Sequence, residues 1–187
     1  NRSTPIVSYF LFVPVFIFIT SLLLIISIIH TPAFYKLDKL CCRIIMLTLF
    51  VWPNIRGSFP KKGTYIIMMN HTSFADVFFS VQPLLGKYTA ILAAFNFKIP
   101  IWRTMLKSFK AIPVYRKDRK KALQAIKNAE IIIKELGYHV VIFPEGTRTT
   151  TGKLQKFKKG GFHMALNTQV PILPLVVKGG FRFKPKN

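Results

Sequence analysis

The sequence predicts an α/β fold, in which a central, mostly parallel or mixed sheet is flanked by helices and preceded by an N-terminal hydrophobic, membrane-anchoring helical segment. Three observations predict it. An uncharged run from Pro5 to Ile29 opens the chain, and short apolar runs alternate with helical patterns after Pro53. The composition joins 51% apolar residues to a net charge of +22, which suits contact with both hydrocarbon and an anionic membrane surface.

Composition excludes two classes of protein. A basic disordered tail lacks apolar residues to bury, whereas this chain of 187 residues contains 18 Phe. A disulfide scaffold needs more cysteines than Cys41 and Cys42, and adjacent cysteines rarely bridge each other. We interpret the two as thiols of a reducing compartment or thiols that face lipid.

The run from Pro5 to Ile29 is long enough to cross a bilayer. As a helix it measures about 37 Å, against about 30 Å for the hydrocarbon core. A signal peptide is the alternative, but its apolar region would be shorter, with a basic start and a small-residue cleavage site. We therefore expect a retained anchor, kinked at Pro14.

A second apolar run, from Ile44 to Trp52, is too short to span a membrane alone. It leaves two arrangements open: one span plus an interfacial helix, or two helices that enter and leave by the same face. Positive charges follow the first run, so the positive-inside bias places the remainder in the cytoplasm. These charges are Lys36, Lys39, Arg43, Arg56, Lys61 and Lys62.

We accordingly divide the chain into a membrane-embedded helical anchor over residues 1–54 and a cytoplasmic α/β domain over residues 55–187. The chain begins at Asn1 rather than Met, so the sequence could be trimmed at either terminus.

Five apolar runs in the second part predict strands, at residues 65–69, 89–94, 111–115, 139–143 and 171–177. The third contains Pro113, which places it near an edge of the sheet. The clearest helix runs from about Asp118, its predicted N-cap, to Leu136, and Gly137 closes it. The aromatic-rich residues 95–102 predict either a segment at the membrane interface or the start of a core helix.

Two of the six acidic residues, Asp76 and Glu145, directly follow predicted strands. We assign Asp38 to a charged linker. The remaining three fit a cap or the solvated face of one helix: Asp118, Glu130 and Glu135.

His71 and Asp76 lie five residues apart, which on a regular helix would point them about 140° away from each other. They meet only if His71 lies in the turn after the strand and Asp76 in the first helical turn, with Thr72 or Ser73 as N-cap. An Asp bound to one imidazole nitrogen leaves the other free to take a proton from a hydroxyl. The alternative is that Asp76 caps a helix and His71 is a surface residue.

Glu145 opens a second polar turn after a strand. Gly146 permits unusual backbone angles, Thr147 offers a hydroxyl and an amide, and Arg148 offers a bidentate fork for phosphate. Glu145 would orient Arg148 or hold a substrate hydroxyl. The alternative is a tight turn with a surface ion pair.

Together these segments resemble the glycerolipid acyltransferases, and most closely the 1-acyl-glycerol-3-phosphate (lysophosphatidic acid) acyltransferases. The segment Asn70-His71-Thr72-Ser73-Phe74-Ala75-Asp76 resembles the family's NHxxxxD signature. Three further blocks follow in the family's order: Ile112–Arg116, Phe143–Arg148 and Val170–Leu175. The resemblance covers residues 62–177.

The resemblance implies transfer of a fatty acyl group from acyl-CoA or acyl carrier protein to the sn-2 hydroxyl of lysophosphatidic acid, giving phosphatidic acid. His71, held by Asp76, would be the catalytic base. Lys107 and Lys110 are oxyanion candidates, although Lys110 stands where the family usually has Gly, and Tyr115 where an acid is frequent. The residues that would hold the glycerol phosphate are Arg116, Glu145, Gly146, Thr147 and Arg148.

We expect no cofactor and no metal, since the His and Cys residues show no ligand spacing. The expected partners are anionic membrane lipids, lysophosphatidic acid and the acyl donor. The basic runs carry no zinc-finger, zipper or RNP-like signature, so nucleic acid is not expected. The alternatives are an acyltransferase for another lysophospholipid or glycerol 3-phosphate, or a non-catalytic, membrane-tethered module that binds anionic lipid.

Overall fold

The computed structural model describes residues 3–29 and 31–183. Two long helices come first, α1 (Ser3–Ile29) and α2 (Thr31–Thr48). Strands and helices then alternate along the chain. The elements are β1 (Ile66–Met69), α3 (Asp76–Ser80), β2 (Tyr88–Ala93), a 3₁₀ helix (Ala94–Lys98), α4 (Pro100–Ser108), β3 (Ile112–Val114), α5 (Arg119–Leu136), β4 (His139–Ile142), α6 (Gly160–Thr168), β5 (Ile172–Leu175) and α7 (Gly180–Phe183).

The five strands form one sheet in the order β3-β2-β4-β1-β5, and every described pairing is parallel. This confirms the predicted fold class and the edge position of the strand that contains Pro113. β1 lies between β4 and β5, with Ile66 opposite Val140 and Ile172. Because parallel strands all end at one edge, the loops after β1 and β4 meet there.

Helices cover both faces of the sheet, and alternate residues of β1 separate the two cores. Ile67 and Met69 face a core shared with α1, α2, α3 and α4. Ile66 and Met68 face a second core that includes residues of α5 and α6. This continuous burial explains why β1 is apolar at every position.

Helix α5 confirms its predicted ends. The carboxylate of Asp118 accepts a hydrogen bond from the Lys121 amide at 3.0 Å. Gly137 adopts a left-handed conformation (φ 65°) and donates to the Ile133 carbonyl. Its apolar stripe, Ala125, Ala129 and Ile133, is buried against the sheet.

The two N-terminal helices pack on each other and on the α/β layer. Helix α1 continues through Pro14, and residues 10–29 are long and apolar enough to cross a membrane. Yet the Phe16 ring lies 6.3 Å from that of Phe78 in α3 and 6.0 Å from that of Trp102 in α4. One side of α1 therefore packs on the α/β layer, while much of the remaining apolar surface is exposed.

The predicted position of Asp38 in a charged linker is wrong, because Asp38 lies inside α2 and only 8% of its surface is exposed. The Tyr88 hydroxyl donates to its carboxylate, as does the Cys42 thiol at 3.6 Å. Burial raises the pKa of Asp38 from its usual range. The neighbouring charges Lys36 and Lys39 made the segment look like a linker, whereas helical spacing turns Asp38 inward with Cys42.

Neither the apolar run from Ile44 to Trp52 nor the aromatic-rich run from 95 to 102 forms a single secondary-structure element. Helix α2 ends at Thr48, so only the first part of the run from Ile44 to Trp52 is helical. The residues from 95 to 102 cross from the 3₁₀ helix into α4. Phe95 is 65% exposed, whereas Trp102 packs against Phe16.

Candidate active site

The structure brings His71 and Asp76 together at the carboxyl edge of the sheet. The Nδ1 atom of His71 lies 3.0 Å from Oδ2 of Asp76. Asp76 is fully buried, whereas 20% of the His71 side chain is exposed. The carboxylate fixes the tautomer with the proton on Nδ1, which leaves a lone pair on Nε2. No hydrogen bond to Nε2 occurs among residues 3–29 and 31–183.

Asp76 makes most of the hydrogen bonds in the turn between β1 and α3. The predicted N-cap at Thr72 or Ser73 is wrong, because α3 begins after Ala75, although the Ser73 hydroxyl accepts the Ala75 amide at 3.2 Å. The residue before α3 is Ala75, which makes no side-chain cap. Instead, the Thr72 and Ser73 amides donate to Oδ2 of Asp76 at 2.6 and 2.8 Å, and the Thr72 hydroxyl lies 3.2 Å from Oδ1. A carboxylate is the stronger acceptor, and it gathers the turn's amides around itself.

The His71 ring is also fixed from its face. It stacks on the Phe143 ring with the two centroids 4.0 Å apart and the planes inclined by 23°. Phe143 follows β4 directly, so the ring contact joins the loops after the two neighbouring strands. Asp76 and Phe143 together restrain both the rotation and the tilt of the imidazole.

Glu145 supports the main chain of His71. One carboxylate oxygen accepts the His71 amide at 2.7 Å, and the other accepts the Gln155 amide at 2.9 Å. Glu145 is 3% exposed, and among the described residues it forms no ion pair with Arg148. A contact of Glu145 with substrate stays a prediction, because both oxygens already accept main-chain amides.

Gly146 adopts the unusual backbone angle that its sequence position predicts, whereas substrate contacts of Thr147 and Arg148 stay predictions. The Gly146 amide donates to the Phe143 carbonyl at 2.9 Å, and Gly146 has φ 74°, in the left-handed region that glycine adopts readily. The Thr147 carbonyl accepts the side-chain amide of Gln155 at 3.0 Å, and Arg148 is half-buried.

Two supporting residues were not identified from the sequence. The buried Thr149 donates its amide to the His71 carbonyl at 2.8 Å, so both main-chain polar groups of His71 are held by the loop after β4. Gln155 contacts this loop through both its main chain and its side chain. Both lie in a polar stretch in which no spacing marks one residue above another.

A basic cleft of about 950 Å³ opens at the same edge of the sheet, around Arg116. Burial lowers the pKa of the Arg116 guanidinium from its usual range. Arg116 follows β3, which is three strands from β1, so the strand axes are about 14 Å apart. The cationic side chains that line the cleft are Lys98, Arg103, Lys107, Arg116, Lys117 and Lys121.

The structure separates the two lysines that the sequence offered as oxyanion candidates. Lys107 lines the basic cleft, whereas Lys110 does not belong to its lining. Lys110 follows α4 with φ 62°, and its carbonyl accepts the Thr89 hydroxyl at 2.8 Å. This left-handed conformation accounts for the glycine that the resemblance leads one to expect at the position. Oxyanion binding by either lysine stays a prediction.

Metal ligation has no candidate cluster in the described part of the chain. Within residues 3–29 and 31–183, no group of three or more His, Cys, Asp or Glu side chains is placed to hold an ion.

Comparison with known proteins agrees with this architecture. A family model described as Acyltransferase matches residues 53–178, more than half of the chain. The 1-acyl-sn-glycerol-3-phosphate acyltransferase of Cocos nucifera is 33% identical over 67% of this chain and 41% of its own length. That of Limnanthes douglasii is 35% identical over 70% of this chain and 50% of its own length.

A solved structure also matches the fold. The crystal structure of the 1-acyl-sn-glycerophosphate (LPA) acyltransferase PlsC from Thermotoga maritima superposes with a TM-score of 0.83, at 22% identity. The match covers 100% of this chain and 79% of that one. The chain spans half or less of the length of the two plant relatives. On the match to the family model, the chain belongs to the acyltransferase family.

Proposed function

We propose that this protein transfers a fatty acyl group from a thioester to the sn-2 hydroxyl of 1-acyl-glycerol-3-phosphate, which gives phosphatidic acid. One observation carries the proposal: His71 is held through Nδ1 by the buried Asp76, while Nε2 has no hydrogen-bond partner among the described residues and the side chain is 20% exposed. The curated relatives are named for this reaction, which supports the choice of substrate.

The proposed mechanism uses His71 as a general base. Nε2 takes the proton from the acceptor hydroxyl as its oxygen attacks the thioester carbonyl carbon. The tetrahedral intermediate collapses, the carbon–sulfur bond breaks, and the thiolate receives the proton from the imidazolium. Asp76 stabilises the imidazolium during these steps without taking its proton. No covalent acyl-enzyme is needed, because the acceptor attacks the thioester directly.

The basic cleft provides the proposed phosphate site. Arg116 offers a planar fork that matches two phosphate oxygens, and the other cations of the cleft add attraction for an anionic lipid. Gly146, Thr147 and Arg148 stand nearer to His71, in the loop after β4, and would contact the glycerol. Lys107 is the oxyanion candidate that lies in the cleft.

We further propose that α1 and α2 anchor the α/β domain on the cytoplasmic side of the membrane, with the domain partly immersed. Phe16 lies within the candidate span of residues 10–29 but contacts α3 and α4. A helix that crossed the bilayer at that depth would carry the α/β layer with it. The contacts therefore favour two helices that enter and leave by the same face.

The proposal is tested by release of the thiol from acyl-CoA, with and without lysophosphatidic acid, in mixed micelles. The full chain should release thiol only with acceptor, and His71→Ala should lose the activity. His163→Ala is the matched control, since His163 is exposed on α6 and should change nothing. Equal activity in His71→Ala and in the unsubstituted protein would contradict the mechanism.

The same assay separates the related reactions. Acyl carrier protein thioesters replace acyl-CoA in one series, and lysophosphatidylcholine or glycerol 3-phosphate replaces lysophosphatidic acid in another. We expect the highest kcat/KM with lysophosphatidic acid, because the cleft is lined by six cations against one acid, Asp118. Vesicle binding without thiol release from any donor would instead support the lipid-binding module.

A further inference from the structure

Gly180 approaches the buried side of the His71–Asp76 pair. We propose that Gly180 is a positioning residue, whose lack of a side chain lets the segment after β5 close over Asp76 and fix its carboxylate toward His71. The activity part of this inference rests on the proposed function, whereas its geometric part does not. Gly180 begins α7 and is buried, although Lys178 and Gly179 before it are exposed.

The close approach is a matter of space rather than of backbone angle. A Cβ at Gly180 would lie 2.5 Å from the Thr72 hydroxyl oxygen, 3.1 Å from Oδ1 of Asp76 and 3.5 Å from Cβ of Ser73. The φ angle of Gly180 lies outside the left-handed region, so an L residue meets no strain there except these contacts. The two closest atoms belong to the turn that holds the carboxylate.

The segment cannot easily retreat, because it is fixed on both sides. Before Gly180, the Asn70 side chain accepts the Val177 amide at 2.8 Å and donates to the Val177 carbonyl at 2.9 Å. After it, the Phe181 ring lies so near Gly152 that a Cβ there would be 3.0 Å from the ring. Asn70 directly precedes His71, so one short stretch both carries the base and fixes the covering segment.

The consequence for Asp76 concerns its second oxygen. Oδ2 interacts with the His71 ring and two amides, whereas the described contact of Oδ1 is the Thr72 hydroxyl at 3.2 Å. Gly180 covers this less-occupied side. An added methyl group must push the Thr72 hydroxyl or Oδ1 of Asp76, and either movement disturbs the hydrogen bond between them that helps to orient the carboxylate toward His71.

Gly180→Ala in the full chain is the test. We expect kcat for acyl transfer to fall by about tenfold to a hundredfold, because small misplacements of a reacting group have effects of this size. KM for lysophosphatidic acid should change by less than about twofold, since Arg116 of the basic cleft follows β3, three strands from β1. The low-field proton resonance of the His71 Nδ1–H, identified by its loss in His71→Ala, should shift or broaden.

Gly179→Ala is the matched control. Gly179 has φ +86° and no atom within 4 Å of its Cβ position, so alanine there strains the same segment without pressing on Thr72 or Asp76. It should lower the melting temperature while keeping kcat and the His71 resonance. Equal losses of kcat in Gly179→Ala and Gly180→Ala would overturn the proposal in favour of general destabilisation.

A rescue variant covers the case in which Gly180→Ala does not fold. Thr72→Ala removes the atom that a Cβ would meet first, so Gly180→Ala should reduce kcat less in the Thr72→Ala background than alone. An unchanged His71 resonance in folded Gly180→Ala would overturn the positioning role even if the protein proved inactive on lysophosphatidic acid. If the unmodified chain itself transferred no acyl group, a resonance that shifts in Gly180→Ala would keep the positioning role and remove the proposed function instead.

Discussion

The carboxylate of Glu145 accepts the main-chain amide of His71 at 2.7 Å, which ties the loop after β4 to the residue that we propose as the base. The second oxygen accepts the Gln155 amide at 2.9 Å. The loops after two adjacent strands thus share one buried carboxylate, and the position of the His71 backbone depends on it.

Glu145→Gln should lower kcat by at least tenfold and destabilise the fold by about 1–3 kcal/mol, because the amide nitrogen of Gln cannot accept and leaves one buried donor unpaired. Thermal unfolding and thiol release measure the two effects. Glu135→Gln, on the exposed last turn of α5, serves as the control and should change neither kcat nor the stability of the fold. A Glu145→Gln variant with raised KM and unchanged kcat would instead point to a direct contact with substrate.

Arg116→Lys should raise KM for lysophosphatidic acid by about tenfold with little change in kcat. A lysine keeps the charge but loses the fork that holds two phosphate oxygens. Initial rates at varied acceptor concentration measure this split. Arg119→Lys, at the exposed start of α5, is the matched control. If the two variants behaved alike, phosphate binding by Arg116 would be refuted.

Lys110→Gly should stabilise the protein by about 1 kcal/mol, since Lys110 holds φ 62° and a left-handed conformation strains a residue with a side chain. Lys107→Gly, in the last turn of α4, should destabilise it by at most about 1 kcal/mol, because glycine loses more backbone entropy than other residues when it enters a helix. Denaturant unfolding gives both values. If Lys110→Gly destabilised the protein, the contacts of the Lys110 side chain would contribute more to stability than the left-handed backbone strain costs.

His139 should make stability depend on pH. Burial lowers the pKa of its imidazole, and the neutral ring accepts the Tyr65 amide on Nδ1 at 3.0 Å. The unfolded chain therefore takes up the proton first, near pH 6.5, so stability is present above that pH and is lost as pH falls toward the lowered folded pKa.

Unfolding free energies between pH 5 and pH 8 measure this dependence. His139→Gln cannot ionise and should flatten the curve below about pH 6.5, whereas His163→Gln, at an exposed histidine, should leave it unchanged. Parallel curves for the unmodified chain and His139→Gln would assign the acid sensitivity to another group.

The sequence predicted those features of the fold that depend on residues close together in the chain. Burial on both faces makes β1 apolar throughout, and the cap and left-handed glycine of α5 appear directly in its sequence. The spacing of His71 and Asp76 predicted that the two side chains could meet across a strand, a short turn and a helix start, although it also allowed a surface His71 beside a capping Asp76. In each case the interacting groups are close in the chain.

Contacts between residues that are far apart in the chain could not be predicted from the sequence. Asp38 looked like a linker residue because its partner Tyr88 is 50 residues away. Glu145 reaches the His71 amide across 74 residues, and Asn70 reaches Val177 across 107. Such pairings follow from the strand order, in which β1 is inserted between β4 and β5, and no spacing in one sequence encodes that order.

The most direct test of the central claim is a double-mutant cycle on the proposed base and its carboxylate. Acceptor-dependent thiol release is measured for His71→Ala, Asp76→Ala and the double variant. The two residues act as one unit, so the double variant should be no slower than His71→Ala alone. Losses of rate that multiply, or acyl transfer that survives in His71→Ala, would contradict the account.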